Sequence, residues 1–201
     1  MYYSYRTPFS VGVNTSLFNN VYARQEHSMW CWAACLEMVM RHNGINISQD
    51  EFAKHACGVN WQGVPNNCPA SFDVITKHLN TVWHDTVAEY GLSAPVQYGA
   101  PDLFRVYEEL NSGNPVIVTY QNQNAVIGHA VLITGMQGYF LGDSMYITKF
   151  IVRDPSPSVE SYFTRGRLVK TSTTDFMKRI TAHWFPTLIE HYIQEPLWVN
   201  F

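Results

Sequence analysis

The chain has 201 residues, 46% apolar and 14% aromatic, which suits one large packed domain and excludes a disordered polymer. Its 13 lysines and arginines against 16 aspartates and glutamates give a net charge of -3, with the cations scattered singly, so the basic stripe that a phosphate backbone requires is missing. No run of about 18 apolar residues is present, and the start "MYYSYRTPFSVGVNTS" has neither the apolar stretch nor the small-residue cleavage site of a secretory signal, so the expected partners exclude nucleic acid and membrane.

Residues 1–24 show no clear period and read as an extended arm laid across the domain. From Trp30 to His42 the apolar positions are dense enough for a buried helix, and "NG" at Asn43 and Gly44 stops it, because both residues tolerate a left-handed cap. In "NISQDEF", Ser48 with Glu51 three residues later forms a capping box that opens a helix to about Ala56. Further helices are expected from about Pro69 to Leu79 and from Pro101 to Asn111, the second broken by "SGNP".

The pattern then changes to the β-branched and aromatic runs "PVIVTY", "GHAVLITGM" and "MYITKFIVRD", expected as strands of one sheet. "TTDFMKRITAHWF" reads as a closing helix capped at Thr174 or a polar neighbour. Helices first and an antiparallel sheet second make an α+β fold in a single domain. It divides into an arm (1–24), a mainly helical lobe (25–95) and a mainly β lobe (96–201).

"SMWCWAAC" sets Cys31 in the first turn of the first long helix, where the positive end of the helix dipole favours thiolate over thiol. A thiolate nucleophile needs a histidine within reach, a group that orients it and donors for an oxyanion. Of eight histidines, His129 stands apart: it follows Gly128 and opens a strand that is otherwise core-bound, a polar ring at the mouth of a sheet. Read alone, it is equally a satisfied core histidine. Asp154 closes the next strand before a proline and suits the orienting role, though Asp-Pro alone reads as a turn. Gln25, ahead of the helix start, can place its amide beside the Cys31 backbone N–H.

Taken in order, "QEHSMWCWAA", "GHAVLITG" and "VRDP" resemble the papain-like cysteine proteases, most closely the compact bacterial branch of avirulence proteases and bacteriocin-processing peptidases. The resemblance covers residues 22–160. It implies a helical lobe carrying the nucleophile packed on an antiparallel sheet, with Cys31 as nucleophile, His129 as base and acid, Asp154 as orienter and Gln25 in the oxyanion hole. Trp30 and Trp32 are expected as walls of the site. Ser28, Met29 and Trp30 stand where the plant and lysosomal members carry Gly and Cys, which separates the chain from those disulfide-stapled enzymes.

No metal or organic cofactor is expected. Cys35 reads as a buried filler. Cys57 and Cys68 match no standard zinc spacing; with no signal peptide a reduced compartment is the default, and a disulfide across "CGVNWQGVPNNC" is the alternative in an oxidising space. The expected function is hydrolysis of a protein or peptide substrate. The setting is cytoplasmic, or that of an effector or toxin exported by a dedicated secretion system, with that system or a host protein as an activating partner. Deamidation or transamidation on the same scaffold, and a binding module without turnover, are the alternatives. A cell-wall amidase fits less well, since its third residue is usually a histidine.

Overall fold

The computed structural model describes residues 5–84, 89–121, 128–156 and 164–191. The ends of the expected single domain, 1–4 and 192–201, lie outside the described residues. Strand β1 (Arg6–Gly12) gives the arm its extended character, and a helix the sequence did not announce, α1 (Thr15–Val21), follows it. Asn14 caps α1 by accepting the Leu17 N–H at 3.0 Å.

Helix α2 (Cys31–His42) is buried at every position from Trp32 to Met40, as its nearly unbroken apolar run requires. It lies against the sheet on one side and against helices α3 (Gln49–Cys57) and α4 (Phe72–Leu79) on the other. Asn43 and Gly44 end it, Gly44 with φ +80°. The Ser48–Glu51 capping box opens α3 as expected. α4 begins later than Pro69 because Ser71 caps it, accepting the Val74 N–H at 3.3 Å. α5 (Leu103–Asn111) starts behind Asp102 for the same reason.

The main sheet is antiparallel and seven-stranded. Its path is β4 (Gln97–Tyr98), β9 (Ile180–Trp184), β5 (Val116–Tyr120), β6 (His129–Leu141), β7 (Ser144–Arg153) and β8 (Arg167–Lys170). β6 is long enough to pair with β5 over its first residues and with β1 over its last, so the arm completes the edge that β5 leaves open. A small sheet of β2 (Trp83–His84), β3 (Glu89–Ser93) and β10 (Thr187–His191) flanks α4.

The stretch expected as one closing helix divides in two. α6 (Thr173–Arg179) is helical and carries an Asp175–Arg179 ion pair, but the chain turns to strand at Ile180. Pairing with β5 and β4 buries Trp184, whose indole N–H donates to Thr76 Oγ1 at 2.9 Å and whose ring meets Phe72 edge-on. A single hydrophobic core runs from α2 through the sheet to β9, so the helices and strands share one interior.

Candidate active site

Cys31 is the first residue of α2, and its N-cap, Trp30, makes no side-chain capping bond. The first-turn N–H groups therefore keep the lack of helical partners that every helix start has. Cys31 is half-buried while the residues behind it are buried, so its side chain is the one at this helix end that reaches solvent space. Trp32 fixes the turn: its indole N–H donates to Cys68 O at 3.2 Å.

His129 opens β6 directly opposite Tyr120 of β5, whose ring meets the imidazole edge-on at 5.7 Å. Asp154 follows the last residue of β7, two strands from β5. His129 Nε2–H donates to Asp154 Oδ1 at 2.7 Å, and the same oxygen accepts the Ser156 N–H at 2.8 Å. The Asp154 backbone is held on both sides: its N–H donates to Gly166 O at 2.8 Å, and its carbonyl accepts the Tyr22 hydroxyl at 3.0 Å. Gly166 has φ +66°, and a Cβ there would run into the Asp154 carbonyl and the Tyr22 ring.

With Nε2 committed to Asp154, Nδ1 is the ring nitrogen left for the hydrogen bond with Cys31. Burial by itself would lower the His129 pKa. The hydrogen bonds to Asp154 and Cys31 and the negative charge of both outweigh it and push the group up to about 9. For Asp154, burial works to raise the carboxyl, but the bonds and charge of His129 and the Ser156 N–H hold it below its ordinary value. Burial, then the charges of Asp154 and Cys31, push the Tyr120 phenol up to about 12, so it stays neutral beside them.

These side chains line a cleft of about 600 Å³ between α2 and the sheet, whose walls include Trp32, Ala70, Phe72, Thr119 and Thr181. Gln25 is placed otherwise than an open oxyanion donor would be. It is buried, and its Nε2 donates to His27 O at 3.0 Å and Ser28 O at 3.1 Å, which uses both amide hydrogens within its own loop. Its backbone N–H donates to Pro155 O at 2.9 Å and ties this loop to the Asp154 turn. Trp30, expected as a wall, is wholly buried behind the cleft, its indole N–H donating to Asn66 O at 3.3 Å and its ring 4.2 Å from that of His27. An indole of that size next to an apolar helix is better buried than wet, so Trp32 alone faces the cleft.

The sequence reading missed several residues that shape the site. Gln49 is buried; its Nε2 donates to Arg24 O at 2.9 Å and Glu37 Oε2 at 2.8 Å, and its Oε1 accepts the Glu26 N–H at 3.2 Å. It thereby clamps the backbone on both sides of Gln25. Glu37, the acidic residue of α2, is paired with Arg41, and burial pushes its carboxyl up against the pull of Gln49 and Arg41. Nothing in "NISQDEF" marks Gln49 as more than a first-turn residue; Tyr120 and Tyr22 gain their roles from cross-strand register and from the path of the arm. Cys57 and Cys68 form a disulfide, so they are not thiols for a metal, and no cluster of three or more metal-ligating side chains occurs among the described residues.

A profile of the Peptidase_C39 like family matches residues 18–171, a span that takes in Gln25, Cys31, His129 and Asp154. A search of curated proteins finds no match. Among solved structures, the peptidase domain of Streptococcus ComA, a bi-functional ABC transporter involved in a quorum-sensing pathway, is similar in fold. The match has a TM-score of 0.50 and 18% identity and covers 82% of this chain and 95% of that one. A buried helix that opens on a cysteine, an antiparallel sheet that opens on a histidine, and a family profile over most of the chain lead to one assignment: the chain belongs to the Peptidase_C39 like family and is a papain-like cysteine peptidase.

Proposed function

We propose that the chain hydrolyses peptide bonds through Cys31, His129 and Asp154. The observation that carries this reading is the 2.7 Å bond from His129 Nε2 to Asp154 Oδ1 in the cleft that also holds Cys31. It turns the other ring nitrogen toward the sulfur and favours a protonated ring there. In this mechanism Sγ attacks the scissile carbonyl, and His129 Nδ1–H gives its proton to the departing amine. A water that returns a proton to Nδ1 then hydrolyses the thioester. Asp154 stays ionised and holds the ring.

The tetrahedral oxyanion requires donors aimed at it. The Cys31 N–H is the first, supported by an α2 start without a side-chain cap. Gln25 is the second once substrate draws its amide away from the carbonyls of His27 and Ser28. The Cys57–Cys68 disulfide favours an oxidising setting over a reducing cytoplasm, in keeping with an exported effector or toxin. Digestion of casein and of a peptide pool, with Cys31→Ala as control, tests the reading: cleavage by the wild type alone supports it, and equal products from both proteins end it. Ammonia release without new amino termini would assign the same residues to deamidation.

A further inference from the structure

Beside the cleft, residues 57–68 form a small closed hairpin. The Cys57–Cys68 disulfide joins its ends, with Cα atoms 6.1 Å apart. Val59 pairs with Pro65, the Asn60 N–H donates to Val64 O at 2.8 Å, and the Asn66 N–H donates to Gly58 O at 3.0 Å. Asn60 Oδ1 accepts the N–H groups of Gln62 and Val64, and Gly63 supplies a φ of +77° at the turn. A loop so fully bonded is pre-ordered.

Its tip is apolar and wet. Trp61 is 90% exposed, with Val59 and Val64 about half exposed beside it, and residues 58–67 carry no charged side chain. An indole held in water by an ordered turn forgoes the gain of burial, and its ordering has already been met, so a partner receives a preformed aromatic anchor.

The base of the hairpin is built into the cleft rim. Asn67 Oδ1 accepts the Met29 N–H at 3.0 Å, Asn67 Nδ2 donates to Ser28 Oγ at 3.0 Å, and Cys68 O accepts the Trp32 indole N–H. Ser28, Met29 and Trp32 line the cleft, and Pro69 and Ala70, next in the chain after Cys68, continue its wall. From the disulfide to Trp61 the chain runs four residues, about 13 Å if extended.

We propose that this hairpin is a second docking point for the substrate. Trp61, flanked by Val59 and Val64, receives a large apolar side chain of an extended polypeptide about four or more residues away from the part held in the cleft. The proposal rests on the peptidase reading of that cleft. A lipid surface is the competing occupant, since tryptophan favours membrane interfaces, but residues 58–67 hold no lysine or arginine to meet anionic headgroups. Continuity with the cleft favours the polypeptide.

The test uses a peptide of about twenty residues selected by cleavage from a proteome-derived pool, and the same peptide cut back to about six residues around the scissile bond. Trp61→Ser should lower kcat/KM on the long peptide by about tenfold and leave the short one unchanged, and Trp61→Phe, which keeps an aromatic ring at the tip, should restore most of the loss. Equal loss on both peptides, or no loss on the long one, overturns the docking role and leaves the peptidase reading standing. If the wild type cleaves nothing in the pool, both fall. Loss of binding to phosphatidylcholine vesicles in Trp61→Ser, with long-peptide cleavage intact, would assign the hairpin to membranes and overturn the proposal.

Discussion

Between Cys31 and Asp154 the His129 ring has one nitrogen for each neighbour, so substitutions at the two ends ask different questions. Asp154→Asn keeps an acceptor for Nε2–H and should retain most of kcat, whereas Asp154→Ala frees the ring and should cost about 10²-fold or more. Equal rates for the two would reduce Asp154 to a turn residue. Because the His129 pKa lies near 9, the imidazolium of the free enzyme is lost there, and kcat/KM should fall on the alkaline side around that pH. Stability has the same sign. A histidine raised from 6.5 to about 9 favours the fold fully below pH 6.5, and that favour fades as pH climbs toward 9. Melting temperature should therefore drop over this interval more for the wild type than for His129→Ala. Gln25→Ala should lower kcat by roughly 10²–10³ with little change in KM, the cost of one oxyanion donor. An unchanged rate would make its two bonds to His27 O and Ser28 O its whole role.

At the scale of elements, the loop before α2 depends on α3. Gln49→Ala removes its hydrogen bonds to Arg24 O, the Glu26 N–H and Glu37 Oε2, a loss of about 1–3 kcal/mol. Thermal denaturation should register it, and kcat should fall while KM holds, because the loop that carries Gln25 loosens rather than the walls of the cleft. On the opposite side, Gly166→Ala forces a Cβ toward the Asp154 carbonyl and demands a left-handed φ from alanine. The backbone at Gly166 or at Asp154 must shift, and a displacement of the His129 ring resonances by NMR, with reduced activity, is the expected result. Unmoved resonances would show that the methyl is absorbed without disturbing the Asp154–His129 bond.

Across the whole molecule the four cysteines divide into three chemistries. Cys35 is buried, and burial, then the charges of Cys31 and Asp154, push its thiol well up, so it is inert. Cys57 and Cys68 are oxidised. Brief iodoacetamide treatment of the native protein should therefore label Cys31 alone by mass spectrometry, and His129→Ala should suppress that labelling. Labelling that is indifferent to His129 would deny the ion pair. Reduction of the disulfide should lower the unfolding free energy by about 2–3 kcal/mol, as for a loop of this length, and expose two further thiols to alkylation.

The amino-acid sequence by itself determined whatever depends on near neighbours. The capping box at Ser48 and Glu51, the stop at Asn43 and Gly44, the apolar run of α2 and the strands from Val116 to Arg153 all follow from local sterics, capping and hydrophobic period. It also singled out Cys31, His129 and Asp154 by their places at element ends. Tertiary structure decided the rest. Ile180 to Trp184 became strand because β5 had an open edge and Trp184 a pocket against Phe72, although the preceding residues had begun a helix. Trp30 turned inward and Trp32 toward the cleft although they flank the same cysteine, since successive helix positions point about 100° apart and only packing chooses the wet side. The clamp from Gln49 on Arg24 O and the Glu26 N–H, and the bonds that fasten the Trp61 hairpin to Met29 and Trp32, rest on partners far along the chain, and no local rule of residue preference contains those.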